Sequence, residues 1–237
     1  MRLDPVPEIL YEDNHLLIAN KRPGDIIQGD KTGDKPLSEI IKDFIKVRDN
    51  KPGNVFLGVS HRLDRPVSGA VIFPKTSKAL ARINEMLQKH EIKKVYWAVT
   101  QNKPPEDSGV LVHYLLRNQQ KNKSKAFLRE VKSGLKAELN YSLIASSDRY
   151  YLLEIGLKTG RHHQIRAQLS AINCPIKGDL KYGSPRPNPG GFIHLHARYL
   201  GFVHPVKDEY MEVIAEPVKS DPLWNYFSGL FPGRVGK

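Results

Sequence analysis

The sequence predicts an α+β fold with a mixed, largely antiparallel central sheet flanked by helices and loops. Two observations carry this prediction. Apolar segments with strand-like alternation follow one another across short polar turns, and helical periodicity appears in only three places, where it interrupts hairpins. The chain has 237 residues, of which 40% are hydrophobic, so we expect one domain with a substantial core over 1–237.

The predicted strands are short and bounded by turn residues. A polar turn over 12–15 joins the first two, and Pro-Gly at 23–24 ends the second. After Pro-Pro at 104–105, the chain alternates as antiparallel strands do until Thr-Gly at 159–160. The expected strands cover 9–11, 16–19, 70–73, 95–99, 139–143, 151–157, 195–203 and 210–215.

Helical spacing of apolar residues predicts three amphipathic helices. The first covers 36–48 and ends at the polar break of 50–53. The second begins at Ser77, which we expect to cap it, and the third covers 162–172. A Gly- and Pro-rich loop is expected over 183–191.

The composition indicates a protein of a reducing compartment, with the cytoplasm as the default. Cys174 is the single cysteine, which excludes an internal disulfide and a cysteine-rich zinc module. No apolar run approaches the ~18 residues of a membrane span, and no signal peptide is recognisable. We therefore expect neither export nor membrane anchoring.

Positive charge is concentrated in two stretches of the chain. Residues 117–137 hold seven Lys and Arg against Glu130, and residues 157–186 hold six against Asp179. These stretches therefore account for eleven of the twelve excess positive charges. Such clustering favours a polyanionic partner, while a generally basic surface is the plainer alternative. A basic membrane-surface helix is disfavoured because the first stretch lacks an apolar face.

The strongest local feature is the loop over 61–69, which reads His-Arg-Leu-Asp-Arg-Pro-Val-Ser-Gly. It places Asp64 between Arg62 and Arg65. Positive charge on both sides favours the ionised form of a carboxylate, which is the form that a nucleophile or an electrostatic stabiliser needs. Spacing alone favours the other interpretation, a structural aspartate in a turn or ion pair.

The second feature is the segment over 158–166, at the end of a strand and the start of the third helix. It carries several donors and positive charges, and Arg166 lies off the apolar stripe on the side of His162 and His163. A helix start of this kind suits an anion such as phosphate. A plain solvated helix start fits the pattern equally well.

Metal and nucleotide cofactors are poorly supported by the sequence. Four histidines superficially suggest ligands, but no carboxylate or second cysteine accompanies them at ligand spacing. No glycine-rich phosphate loop occurs, so use of ATP or NAD is unsupported. A metal-dependent hydrolase built on these histidines stays open as an alternative; they are His162, His163, His194 and His196.

Taken together, the segments resemble the RluA family of RNA pseudouridine synthases. The family carries HRLDxxTSG around its catalytic aspartate, matched by residues 61–69, and TGRTHQIRxHL, matched by residues 159–169. The resemblance implies the pseudouridine synthase fold and a cofactor-free isomerisation of uridine to pseudouridine in RNA. Shorter matches follow the family's order at 12–18, 94–99, 175–183, 195–197 and 204–205.

The chain departs from the family pattern at four places. Val67 and His162 each stand where the family has threonine, and Gln168 replaces a histidine. Residues 21–24 form a shifted version of a Lys-Pro-x-Gly element. None of these changes removes a group that the resemblance assigns to bond making. Many relatives carry an additional S4-type domain, whereas we expect 1–237 to be a single catalytic domain with no separate RNA-binding domain.

The resemblance implies roles for four side chains. Asp64 is the catalytic carboxylate, and Arg166 pairs with it. Tyr96 lies under the uracil and takes part in the final deprotonation, while Arg62 fills the stack that the flipped base leaves. Three roles stay open for Asp64, namely attack on C1′, addition to the base and abstraction of the C2′ proton.

The expected partner is RNA, as a stem-loop of rRNA or tRNA. No cofactor, metal, membrane or obligate protein partner is expected. A non-enzymatic RNA-binding module is the alternative that needs only the basic stretches and exposed aromatic residues. The further residues expected to contact RNA are His61, Arg65, Arg161, His163, Gln164, Ile165 and Lys177.

Overall fold

The structure is a computed structural model that describes residues 6–30 and 32–231. The ends of the expected domain, at 1–5 and 232–237, lie outside the described residues. The strands are β1 (Glu8–Glu12), β2 (Leu16–Lys21), β3 (Ser68–Pro74), β4 (Lys93–Thr100), β5 (Ser108–Asn118), β6 (Lys123–Phe127), β7 (Leu135–Ser146), β8 (Tyr151–Leu157), β9 (Leu195–Val203) and β10 (Tyr210–Ile214). The helices are α1 (Leu37–Arg48), α2 (Ser77–Gln88), α3 (Gln164–Ala171) and α4 (Pro222–Gly229).

All ten strands belong to one sheet in the order β1-β2-β3-β9-β4-β8-β7-β5-β6, with β10 paired to β9. Every ladder between these strands is antiparallel except the one between β3 and β9. The predicted α+β class with a mixed, largely antiparallel sheet is therefore confirmed. No helix in the described part of the chain is long and apolar enough to cross a bilayer.

The parallel contact between β3 and β9 is made by residues that follow the Asp64 loop. Ser68 is opposite His196, and Gly69 is opposite Ala197. Gly69 has φ of +120°, and a Cβ there would lie 2.4 Å from the Ala197 carbonyl oxygen and 2.5 Å from its nitrogen. The backbones can approach only because residue 69 is glycine. This contact fixes the point at which the Asp64 loop joins the sheet.

The helix α2 begins at Ser77 as predicted, but its predicted cap is wrong, and the predicted start of the third helix is two residues early. The cap of α2 is Thr76 and not Ser77, because the Thr76 hydroxyl accepts a hydrogen bond from the Ala79 amide at 3.1 Å. The third helix begins at Gln164 and not at residue 162. Its preceding residue, His163, has a left-handed backbone with φ of +53°, which does not continue a helix.

The helix α4 lies beyond the last predicted element. Asp221 caps it by accepting from the Trp224 amide at 2.8 Å, and Pro222 occupies its first turn. Trp224 and Phe227 are buried against Trp97 in a cluster of their own. The Asp-Pro pair at 221–222 is a helix-start signal that was visible in the sequence.

The predicted loop over 183–191 is flanked by one 3₁₀ turn at Leu180–Tyr182 and contains another at Pro189–Gly191.

Replacing Gly69 tests the contact between β3 and β9. Gly69→Ala should lower the free energy of unfolding by about 2 kcal/mol or more, because the new methyl group meets backbone atoms that cannot move aside. Urea denaturation measures this change. Gly53→Ala is the control, since a Cβ at that position meets nothing within 4 Å. Equal stability of the two variants would contradict the account of the contact.

Candidate active site

A cleft with a volume of about 90 Å³ opens where the Asp64 loop meets the start of α3. It brings together the two sequence motifs, whose central residues Asp64 and Arg166 are 102 positions apart. Tyr96 of β4 contributes to the wall between them. The complete lining is Arg62, Leu63, Asp64, Val67, Tyr96, Leu157, Arg161, His163, Gln164, Ile165, Arg166 and Leu195.

Arg166 holds two carboxylates at once. Its Nη1 donates to Asp64 Oδ2 at 2.8 Å, while Nε and Nη2 donate to the two oxygens of Asp179 at 2.7 and 2.9 Å. Both Arg166 and Asp179 are buried, whereas the Asp64 side chain is 31% exposed. The bidentate bond to Asp179 fixes the plane of the guanidinium, so the direction of the Nη1 donor that reaches Asp64 is fixed as well.

Burial opposes the charge on Arg166, but the two carboxylates outweigh it. Desolvation alone would lower the pKa of Arg166, and the hydrogen bonds and charges of Asp179 and Asp64 raise it above its usual value. The Tyr182 ring adds a cation-π contact, with its centroid 5.0 Å from the guanidinium carbon. Arg166 is therefore a permanent cation beside Asp64.

The arginines adjacent to Asp64 in sequence do not supply its charge partner. Arg65 turns away and donates to Asp34 at 2.6 Å and to the Thr32 hydroxyl at 2.6 Å. Arg62 is exposed at the rim of the cleft. The interpretation of Asp64 as a carboxylate between two neighbouring arginines is therefore corrected. Its positive partner comes from α3, which sequence spacing alone could not show.

Lys21 holds the backbone of the Asp64 loop in place through hydrogen bonds. The lysine is fully buried, and its ammonium donates to the carbonyls of Arg22, Arg65 and Val67 at 3.0, 3.1 and 2.6 Å. Burial lowers the pKa of Lys21 to about 7, against the opposing charges of Asp25 and Asp64. Two of these three carbonyls belong to the segment directly after Asp64, so Lys21 restrains the backbone that carries it.

His163 lies between Asp64 and Tyr182. Its Nε2 is 3.4 Å from Asp64 Oδ2, and its Nδ1 is 2.9 Å from the Tyr182 hydroxyl. Burial lowers the pKa of His163 to about 3, more than the charge of Asp64 raises it. The imidazole is therefore neutral near pH 7 and carries one N–H.

Tyr96 is buried, with 9% of its surface exposed at the cleft. Burial, followed by the negative charge of Asp64, raises the pKa of Tyr96 above its usual value. Its phenol is neutral at ordinary pH, so in this state the ring is an apolar surface with one O–H donor.

Three other expected RNA-contacting residues border the cleft, and they differ in exposure and in their contacts with the protein. The Gln164 side chain is engaged by the protein, because its Oε1 accepts from the Arg161 amide at 2.9 Å and its Nε2 donates to the Glu138 carbonyl at 3.0 Å. Arg161 is exposed, and Ile165 is 5% exposed in the core.

Besides Arg65, two expected RNA-contacting residues lie away from the cleft lining. His61 Nε2 accepts from the Ile72 amide at 3.0 Å, so this histidine fastens the loop to β3. Lys177 donates to the Asn188 side chain, and its ammonium lies 5.6 Å from the centre of the Tyr150 ring. The structure gives both side chains protein partners.

Three residues of the site were not predicted from the sequence, namely Asp179, Tyr182 and Lys21. Asp179 had a detectable signal, because it is the sole acidic residue among the six basic residues of 157–186. A lone carboxylate in such a stretch is a candidate partner for a buried arginine. Tyr182 lies in the family match over 175–183 and Lys21 in the shifted element over 21–24, but their contacts depend on burial that only the fold creates.

The histidines considered as metal ligands already have other partners. His194 lies between Asn188 and Asp221, at 2.9 and 3.0 Å, and His196 bonds to the Ser68 hydroxyl at 2.8 Å. Within the described ranges, no group of three or more His, Cys, Asp or Glu residues is arranged to hold a metal ion. The geometry gives no support to a site built on these histidines.

Comparison with known proteins shows that the chain is similar to RNA pseudouridine synthases. The family model described as RNA pseudouridylate synthase matches residues 15–171. The chain is 35% identical over 204 residues to the ribosomal large subunit pseudouridine synthase C of Buchnera aphidicola, covering 83% of this chain and 63% of that protein. It is 33% identical over 216 residues to the tRNA pseudouridine synthase C of Salmonella typhimurium, covering 84% and 80%.

The fold gives the same result at lower sequence identity. The solved structure of human RNA pseudouridylate synthase domain containing 4 superposes with a TM-score of 0.76 at 22% identity, covering 90% of this chain and 89% of the human chain. This similarity confirms the expected pseudouridine synthase fold. From the family model and the curated relatives together, it follows that this chain belongs to the RNA pseudouridylate synthase family.

Proposed function

We propose that this protein isomerises uridine to pseudouridine in rRNA or tRNA, with Asp64 as the catalytic carboxylate. One observation carries the proposal: Asp64 is partly exposed in a cleft and is held there by a buried arginine that is itself fixed by Asp179. A non-enzymatic RNA-binding module needs a basic surface, but RNA binding alone does not require a carboxylate held at a fixed position in a cleft.

The proposed reaction needs no oxidant, reductant or energy source. The N1–C1′ bond breaks, the uracil turns, C5 joins C1′, C5 loses its proton and N1 gains one, so the composition of the nucleotide is unchanged. A carboxylate can stabilise or covalently trap the electron-poor C1′, as the nucleophile of a retaining glycosidase does. This is the role we assign to Asp64 among the three that the resemblance leaves open.

The contacts of Asp64 distinguish its two oxygens. Arg166 Nη1 and His163 Nε2 both lie against Oδ2, at 2.8 and 3.4 Å. Among residues 6–30 and 32–231, no hydrogen bond is made to Oδ1. We assign the attack to Oδ1, because the oxygen without a donor keeps its lone pairs for the substrate.

Tyr96 is proposed to form the floor under the uracil and to take part in the final proton transfer. The charge of Asp64 is one of the two causes that raise the pKa of this phenol. That cause disappears when the carboxylate forms a bond to C1′, so covalent trapping would lower the pKa of Tyr96 and ease the loss of its own proton. The phenol could then give that proton to the uracil, where N1 must gain one, and as a phenolate accept the proton that C5 loses.

The two basic stretches meet beside the cleft. Lys181 Nζ donates to the Asn122 carbonyl at 3.1 Å, and the ammonium of Lys123 lies 5.0 Å from the centre of the Tyr182 ring. The hairpin of β5 and β6 thus lies against the start of α3, and its lysines form a groove that suits phosphates. Arg62, exposed at the cleft rim, is proposed to take the place of the flipped base.

The proposal includes two further expectations from the sequence. Residues 1–237 are proposed to act as a single catalytic domain, supported by one sheet whose strands run from Glu8 to Ile214. The cytoplasm is the proposed location, supported by the RNA substrate and the single buried cysteine, Cys174.

Replacing the catalytic carboxylate tests the proposed function. Asp64→Asn should lower the rate of pseudouridine formation by at least about a thousandfold, because the amide cannot act as a nucleophile. The melting temperature and the Kd for RNA should change little. Single-turnover assays on RNA from cells that lack the protein measure the rate, and Asp43→Asn on α1 is a matched control. A rate from Asp64→Asn comparable to that of the unaltered protein would refute the assignment.

The geometry around Arg166 predicts that its shape matters as well as its charge. Arg166→Ala should lose activity and about 3 kcal/mol or more of stability, because it leaves buried Asp179 without a counter-charge. Arg166→Lys should restore part of the stability but little of the rate, because one ammonium cannot reproduce the two-oxygen bond and the bond to Asp64. Single-turnover rates and urea denaturation separate these effects. A lysine variant with the rate of the unaltered protein would show that charge alone suffices.

The hairpin lysines should contribute to RNA affinity through phosphates. Reversing Lys121 and Lys123 to glutamate should weaken binding to all RNA sequences and reduce the slope of log K against log salt by roughly 0.7–0.9 per lost contact. Reversing the exposed Lys46 and Lys78 on α1 and α2 makes the same change in net charge and is the control. Identical slopes for both double variants would place the RNA elsewhere.

A further inference from the structure

The Tyr182 hydroxyl connects the basic hairpin to His163. It accepts a hydrogen bond from the Ser124 amide of β6 at 2.8 Å and lies 2.9 Å from His163 Nδ1. A phenol has one proton to donate, and His163 Nδ1 is the acceptor that the described residues offer it. The hydroxyl proton therefore points to Nδ1, which leaves the single imidazole proton of neutral His163 on Nε2.

The tautomer of His163 decides whether an N–H group or a nitrogen lone pair lies next to the Asp64 carboxylate. His163 Nε2 lies 3.4 Å from Asp64 Oδ2, so in this tautomer the atom nearest to the carboxylate carries a proton. In the other tautomer a nitrogen lone pair would face a carboxylate lone pair, and the contact would be repulsive. A distance of 3.4 Å is long for a hydrogen bond, and catalytic contacts of this length commonly shorten when substrate binds.

We propose that Tyr182 and His163 are positioning residues for the reaction, and this inference rests on the proposed function of Asp64. Tyr182 selects the Nε2–H tautomer of His163, and that N–H joins Arg166 on Asp64 Oδ2. Two donors on one oxygen fix the rotation of the carboxylate and leave Oδ1 towards the substrate.

The same contacts connect the hairpin of β5 and β6 to the positioning of Asp64. Ser124 Oγ lies 2.9 Å from His162 Nδ1, and the His162 ring stacks on His163 with centroids 3.8 Å apart. His162 is one of the positions where the chain departs from the family pattern. A hairpin that moves off α3 would remove the Ser124 amide from Tyr182 and the stacking partner from His163. RNA held on the hairpin would therefore stabilise the orientation of Asp64.

Nitrogen NMR of the histidine side chains tests the tautomer directly. In the full chain labelled with ¹⁵N-histidine, His163 should carry its proton on Nε2 across pH 5 to 8. Tyr182→Phe keeps the ring and removes the hydroxyl, so the Nε2–H form should lose population relative to the unaltered protein, although the carboxylate of Asp64 still favours it. Its single-turnover rate should fall roughly tenfold, as for loss of one hydrogen bond, while the Kd for RNA stays within about twofold. Tyr199→Phe, which removes a buried hydroxyl on β9, is the matched control and should keep the rate.

Two replacements of His163 separate positioning from packing. Asparagine tolerates the left-handed backbone of this position, but its amide is too short to reach Asp64. Glutamine places an amide N–H near the position of Nε2. His163→Asn should lose rate, and His163→Gln should recover most of that loss at equal RNA affinity.

The inference is overturned if the unaltered protein shows the Nδ1–H form, if Tyr182→Phe keeps the full rate, or if the two His163 variants react equally. Failure of the proposed function is a separate result. If the unaltered protein makes no pseudouridine, Asp64 has a different role, and the NMR measurement still decides the tautomer.

Discussion

The site depends on a buried arginine that binds two carboxylates. A guanidinium in the interior is costly unless its charge and its donors are matched, and Asp179 provides a fully buried match with both oxygens. With the guanidinium plane fixed in this way, the Nη1 donor is directed towards Asp64. An exposed loop aspartate thereby acquires a fixed orientation without being buried itself, which is what a reactive carboxylate in a solvent-accessible cleft requires.

The rest of the framework brings the Asp64 loop to that arginine. Gly69 allows β3 to contact β9 backbone to backbone, and Lys21 binds the carbonyls that follow Asp64. On the other side, the hairpin of β5 and β6 covers α3, which explains why six consecutive residues of that helix are buried. The loop and the helix are separated by about a hundred positions of sequence, so the sheet order is what makes them neighbours.

The sequence was sufficient to predict the elements that have a strong local pattern. Eight of the strands and the two longer helices follow from alternation and helical spacing, whereas β5 and β6 were expected only as part of the alternating region after residue 105. The resemblance implied the roles of Asp64 and Arg166. The start of α3 was misplaced because the left-handed backbone of His163 leaves no mark in hydrophobic spacing. Asp179 was not assigned because its role arises from burial beside Arg166, and burial of a polar residue is a tertiary property. The helix α4 was missed although its Asp-Pro start was visible.

The central claim is that this carboxylate carries out the exchange of N1 for C5 at C1′. The most direct measurement uses RNA labelled with tritium at C5 of uridine, because only a reaction that substitutes C5 releases the label. The account predicts that the unaltered protein releases tritium in an amount equal to the pseudouridine formed, without added cofactor, and that Asp64→Asn, although bound to the same RNA, releases none. Tritium release by Asp64→Asn at the rate of the unaltered protein, or no release by the unaltered protein on any rRNA or tRNA from cells that lack it, would contradict the account.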